Sequence, residues 1–196
     1  MTLSTRQRLT LQEYLDYDDG TDTRYELVDG VLVEMPPESR LNHRIASFLF
    51  GEFFQLGIST ELLTIGVQIA VSSLEVTARQ PDFVVLSTAC AEALESASKD
   101  VITVDMPPPA LVVEVVSPGE PGEPNYDRDY IEKRREYAQR GIQEYWIVDP
   151  SREAILVLTL KETSYEEQRF TGQTSIASIA FPNLNLTAEE VLKAGR

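Results

Sequence analysis

The run Val112-Val113-Glu114-Val115-Val116 sets one carboxylate among β-branched apolar residues. Such a run reads as a strand buried on both faces. A carboxylate there loses its hydration at a cost of several kcal/mol unless a cation or strong donors stand beside it. A second run, Gln80-Pro81-Asp82-Phe83-Val84-Val85-Leu86, puts another acid at the mouth of an apolar strand. Two carboxylates and a backbone carbonyl are hard oxygen donors of the kind Mg²⁺ takes. An ion held that way polarises a phosphoryl oxygen and acidifies a bound water. The competing reading is structural, with Asp82 capping the turn after Pro81 and Glu114 paired to an internal Lys or Arg. Spacing alone leaves both open.

A cation is within reach. Asp129, Lys133 and Tyr137 recur every four residues and share one stripe of a helix. If that stripe faces the sheet, the Lys133 ammonium extends toward Glu114. If it faces water, Asp129 and Lys133 are a surface pair worth about a few tenths of a kcal/mol. Tyr137 reads as a packing residue.

The elements that must carry these residues follow from pattern. Leu9 to Tyr17 predicts a short helix capped by Thr10. Asp29-Gly30 between two β-rich runs, 24–28 and 31–35, predicts a hairpin with a type I′ turn, ended by Pro36-Pro37. Leu41 to Leu56 reads as a helix. Thr60 to Val71, Asp82 to Leu86 and Leu111 to Val116 read as strands, with a helix at Thr88 to Ser96 between the last two. Ser117 to Asn125, rich in proline and glycine, predicts a loop. Asp127 to Arg140 predicts a helix stopped by Gly141. A strand at 144–149, a hairpin from Ala154 to Leu160 and Tyr165 to Phe170, and a helix from Thr187 to Ala194 complete the reading. Strand, helix, strand after Leu111 fits a right-handed crossover in a mixed sheet. The class is α/β or α+β, a central mixed sheet flanked by helices, in one domain over residues 1–196.

Composition sets bounds. No run approaches the length of a membrane span, and the polar first ten residues lack the apolar segment of a secretory signal. The single cysteine, Cys90, excludes an internal disulfide and a thiolate metal site, and points to the cytosol. The net charge of −15 opposes nucleic-acid binding, which depends on cationic contacts. Its bland meaning is solubility. Arg128, Lys133, Arg134, Arg135 and Arg140 form the densest basic segment, interleaved with acids.

The segment from Glu114 to Pro118, then Asp129, Lys133 and Tyr137, then Gly141 to Asp149, resembles the Uma-type restriction-endonuclease-like family. Tyr25 to Gly30 and Pro81-Asp82 match its pattern upstream, and the resemblance spans Leu9 to Leu160. It implies a restriction-endonuclease-like fold of the PD-(D/E)XK nuclease superfamily, whose members cut DNA phosphodiesters with divalent metal. Carried over by position, the two superfamily acids fall on Asp82 and Glu114. Val116 occupies the place of the usual lysine, and the resemblance implies that Lys133, from the next helix, replaces it. Asp82, Glu114 and the Val115 carbonyl would then hold Mg²⁺, with Mn²⁺ able to substitute. Glu26 resembles an extra N-terminal acid near such sites, and equally fits an outward-facing strand residue. The hairpin after Ala154, with Ile155, Val157 and Leu160 read as exposed apolar positions, is a candidate either to complete the sheet or to pair with a second subunit, and superfamily analogy implies a homodimer. DNA is the implied partner. The alternatives are a non-catalytic interaction or regulatory module that keeps the fold, and a hydrolase of small phosphorylated nucleotides.

Other conspicuous residues take bland readings. His43 reads as a surface or capping residue, Trp146 as core, and Cys90 as a half-buried spectator. Glu132, Glu136, Asp16, Asp18 and Asp19 read as solvated faces.

Overall fold

A computed structural model describes residues 8–21, 23–35, 39–72, 76–97 and 99–194. In chain order the elements are α1 (Leu11–Leu15), β1 (Tyr25–Val28), β2 (Val31–Glu34), α2 (Arg40–Gln55), β3 (Leu63–Thr64), β4 (Gln68–Ser72), β5 (Val76–Arg79), β6 (Phe83–Val85), α3 (Thr88–Glu95), β7 (Val101–Ile102), β8 (Leu111–Val115), α4 (Pro124–Asp127), α5 (Lys133–Gln139), β9 (Glu144–Asp149), β10 (Ala154–Lys161), β11 (Ser164–Thr171) and α6 (Ala188–Lys193). Among them no helix is long and apolar enough to cross a membrane. The predicted Pro36-Pro37 stop lies outside the described residues.

Six strands form the central mixed sheet, in the order β11-β10-β9-β8-β6-β3. Its only parallel pair is β8 with β9, joined by the predicted helical crossover. The N-terminal hairpin enters a second sheet, ordered β2-β1-β5-β4-β7. At its turn Asp29 and Gly30 have φ of 47° and 77°, the left-handed pair that a type I′ turn requires.

The central sheet is buried on both sides, as its β-branched strands demand. Leu111, Val113 and Val115 of β8 pack with Ile45, Leu49 and Phe53 of α2 and with α6. Val112 and Val116 face the other way, toward Tyr137 of α5, Ile69 and Val71 of the second sheet, and Val67 just before β4. Period-two alternation therefore assigns Glu114 to the α5 side.

Several expectations need correction. Thr60 to Val71 is not one strand: a 3₁₀ turn at Thr60–Leu62 precedes β3, and β4 belongs to the other sheet. The helix after Ser117 starts earlier than predicted, because Pro124 sits in its first turn, where a missing N–H costs nothing. Ile155 and Val157 are not exposed; both are buried in the core, and Leu160 packs against the opposite cluster. The hairpin completes the central sheet, and Ile155 and Val157 offer no surface to a second subunit. Cys90 is fully rather than half buried, and burial pushes its thiol up to about 11.

Candidate active site

The site forms where β6 and β8 part. Phe83 pairs with Val113 and Val84 with Val112, so one further step of the register sets Asp82 opposite Glu114. The ladder ends at Phe83, and the Asp82 carboxylate takes its place: Oδ2 accepts the Val115 N–H at 2.7 Å. The Val115 carbonyl accepts the Asn42 amide Nδ2 at 2.6 Å, and Asn42 Oδ1 accepts the Ser39 hydroxyl at 2.6 Å. Ser39 is the N-cap of α2, so the first turn of that helix is tied to the end of β8. Sequence reading missed Asn42; its signal was a lone amide on the otherwise apolar inner face of α2.

Lys133 reaches the site. Its ammonium lies 2.8 Å from Glu114 Oε2, 3.1 Å from Asp129 Oδ1 and 3.9 Å from Glu26 Oε1. All four side chains are nearly inaccessible to water, so the Asp129–Lys133 pair is internal, not a surface pair. Tyr137 packs edge-on against Tyr145 as expected, yet its hydroxyl also donates to Glu114 Oε1 at 2.7 Å. Glu26, Glu114, Asp129 and Lys133 line a cavity of about 200 Å³, bordered also by Asp82, Val115, Ser39, Arg24 and Arg128.

The helix that delivers Lys133 is irregular. Residues Arg128–Glu132 form a π-turn between α4 and α5, with the Lys133 N–H donating to the Arg128 carbonyl five residues back. The Asp129 carbonyl instead accepts the buried Tyr145 hydroxyl at 3.0 Å. Single wide turns of this kind recur where a helix must aim side chains at a site.

A second buried cation extends the network. Arg79, at the end of β5, holds Glu136 in a two-pronged pair at 2.8 and 2.9 Å, Glu26 at 3.1 Å and Glu132 at 3.1 Å. Glu26 thus sits between Arg79 and Lys133, and its Oε1 also accepts the Gln80 N–H at 3.2 Å. Glu136 is buried rather than solvated, while Glu132 keeps 44% of its side-chain surface exposed. Asp16, Asp18, Asp19 and His43 are exposed and Trp146 is fully buried, as predicted.

The charges here are set by burial against pairing. Burial raises Glu26, but Lys133 and Arg79 outweigh it and hold the carboxyl below its ordinary value. Asp129 is likewise raised by burial and brought below normal by Lys133 and Arg128. Glu114 goes the other way: burial pushes it up, Lys133 pulls it down, and the nearby Asp129 and Glu26 tip it upward. Burial would lower Lys133, yet the Asp129, Glu114 and Glu26 carboxylates hold it well above the usual lysine range. Among the described residues no group of three or more His, Cys, Asp or Glu side chains is arranged to hold a metal ion.

A mixed sheet ending in two acids, with a lysine supplied by the crossover helix, defines a restriction-endonuclease-like fold. The chain belongs to the Uma2 family, described as "Putative restriction endonuclease", whose pattern matches residues 11–189. That span runs past Leu160 to take in the β10–β11 hairpin and the start of α6. Among solved structures, the chain is similar to one described as a "putative nuclease belonging to DUF820" from Anabaena variabilis ATCC 29413. The two are 14% identical, with a TM-score of 0.72 over 96% of this chain and 99% of that one, a likeness of fold. No curated protein matches the chain.

Proposed function

We propose that this protein is a nuclease that cuts DNA internally at phosphodiester bonds with the help of a divalent cation. The observation that carries this reading is the Lys133 ammonium, 2.8 Å from Glu114, beside an Asp82 that the sheet register sets opposite the same glutamate. The family description agrees with it.

The donor set fits a hard cation. Two of the three proposed ligands are carboxylates and the third is the Val115 carbonyl, hard oxygen donors of the kind Mg²⁺ takes. Charge supports the same conclusion. Glu26, Asp82, Glu114 and Asp129 border the cavity with Arg24, Arg128 and Lys133, an excess of one negative charge when all are ionised. Asp82, Glu114 and the Val115 carbonyl would hold Mg²⁺, or Mn²⁺ in its place, with Glu26 a more distant contributor through Lys133. When bound, such an ion supplies Lewis-acid polarisation of the phosphate and an acidified water.

The protein's own groups supply the rest. Lys133 is held charged by three carboxylates, so it acts as a hydrogen-bond donor that orients water and offsets charge growing on phosphate, not as a proton acceptor. Asp129 keeps that ammonium placed, and Asn42 fixes the direction of the Val115 carbonyl. All the proposed ligands come from one chain, so a single subunit suffices.

Incubating plasmid DNA with the purified protein and Mg²⁺ or Mn²⁺ tests this reading. Nicking or linearisation should be lost on adding a chelator, and in Asp82→Asn and Glu114→Ala. Equal cutting by both variants would overturn it. A second reading, a non-catalytic module, draws support from Glu114, whose two oxygens are already engaged by Lys133 and Tyr137. Calorimetric Mn²⁺ binding that disappears in Asp82→Asn would argue against it.

A further inference from the structure

The three cations that line the site cavity are not used alike. Lys133 is committed to Glu114, Asp129 and Glu26. Arg24 and Arg128 line the same cavity from two other elements, and the chain steers both of them.

Arg128 lies on the wide turn before α5. Its Nε and Nη2 donate to the two oxygens of the adjacent Asp129, both at 3.1 Å, and its Nη1 has no partner among the described residues. Asp129 already has the Lys133 ammonium at 3.1 Å, and the Arg128 side chain keeps 21% of its surface exposed. Arg24 extends the β1–β2 ladder by one bond, its carbonyl accepting the Met35 N–H at 2.8 Å, so its side chain shares a strand face with Glu26. Its Nε and Nη2 converge on Gln80 Oε1 at 3.2 and 3.1 Å. Gln80 is itself anchored: Nε2 donates to the Gly66 carbonyl at 2.9 Å, and the backbone N–H donates to Glu26 at 3.2 Å. An amide orients a guanidinium without cancelling its charge, which a carboxylate in that place would do.

We propose that Arg24 and Arg128 are substrate-binding residues that grip the non-bridging oxygens of a DNA phosphate in the site cavity. The proposal rests on the nuclease reading above and adds which side chains hold the substrate. Guanidinium groups pair with phosphate by charge and by a planar fork of donors, and each arginine here is held by one edge of its fork. The four carboxylates of the cavity repel a phosphate, so cations within the same cavity are what a polyanion needs in order to enter it. Such contacts set orientation and read no sequence. A purely structural role is different: Arg128 would only neutralise Asp129, Arg24 would only brace Gln80, and neither would enter the salt dependence of DNA binding.

The test is binding of the full-length chain to a short fluorescein-labelled DNA duplex in EDTA, so that no cutting intervenes, followed by anisotropy across a series of NaCl concentrations. Each phosphate contact contributes a slope of about 0.9 in log affinity against log salt. Arg24→Gln should bind more weakly and lower that slope by about 1, and Arg24→Gln/Arg128→Gln should lower it by about 2. Arg24→Lys should keep the slope, and Arg169→Gln, on the exposed part of β11 and outside the cavity, should leave it unchanged. Arg24 is exposed, so its single variant keeps the core intact and decides the matter alone if the double variant fails to fold. An Arg24→Gln slope equal to that of Arg169→Gln overturns the proposal, as does a failure of the unaltered chain to bind the duplex. Plasmid cutting by the unaltered protein with Mg²⁺ or Mn²⁺ separates the two ideas: cutting beside an unchanged slope removes this grip and leaves the nuclease reading standing.

Discussion

The Tyr137 hydroxyl donates to Glu114 Oε1 at 2.7 Å while Lys133 holds Oε2 of the same carboxylate at 2.8 Å. Strand β8 supplies the acid, and one stripe of α5 supplies both donors. A buried carboxylate is tolerated here because each oxygen meets a donor from a single rigid element.

Removing one donor should be costly without disturbing the packing. Tyr137→Phe keeps the ring against Tyr145 and strips the hydrogen bond from a buried acid. The expected loss is about 1–3 kcal/mol, read from the midpoint of urea unfolding. A change within error of zero would mean that Glu114 is satisfied some other way.

Lys133→Met leaves Glu114 and Asp129 buried beside each other with their shared cation gone. Breaking a buried pair from one side costs about 3–5 kcal/mol. Adding Glu114→Gln to that variant should recover part of the loss, because the uncompensated charge goes with it. Strictly additive effects in the double-mutant cycle would contradict a direct pair.

Acid should act through Glu26. Its folded pKa lies below the ordinary 4.5, so its contribution is present above that value and is lost as pH falls through the folded pKa. Wild type should therefore exceed Glu26→Gln in stability near neutrality, with the gap closing on acidification below 4.5. Glu114 has the opposite sign: its raised pKa means that ionisation costs stability as pH climbs through the elevated value. In Glu114→Gln that loss should be missing. Urea midpoints measured across pH for the three proteins check both signs.

Asn42→Ala should act on the site rather than on the fold at large. The Val115 carbonyl would lose its 2.6 Å donor, so cleavage should require more Mn²⁺ and recover at saturating ion. A lowered maximal rate with an unchanged Mn²⁺ requirement would count against a positioning role.

Much of this was visible in residue types. An acid in a valine run has to be compensated, and the four-residue spacing of Asp129, Lys133 and Tyr137 shows which helix can do it. The hairpin at Asp29-Gly30 and the stop at Gly141, with φ of 79°, are local backbone demands and were equally legible. Arg79 was not. A single arginine closing a short strand says nothing about partners on β1 and α5, because those meet it only through tertiary packing. Glu132 and Glu136 were taken for a wet face for the same reason. Ile155 and Val157 alternate with Ala154, Leu156 and Leu158, which are also apolar, and only packing on both sides of the hairpin shows that neither face is open. The tyrosine hydroxyl was overlooked because ring packing already explained the residue.

The wide turn at Arg128–Glu132 makes chain length, not only residue identity, a variable of this protein. Ile131 sits on that turn, 55% exposed and apolar, where a deletion would look harmless in an alignment. Its removal would let the helix close to regular pitch, setting the Arg128 carbonyl four residues before Lys133 and the Asp129 carbonyl four before Arg134, whose amide would compete with the buried Tyr145 hydroxyl. The spare residue works as a shim, and descendants of this chain would tolerate many exchanges at that position before they tolerated a gap.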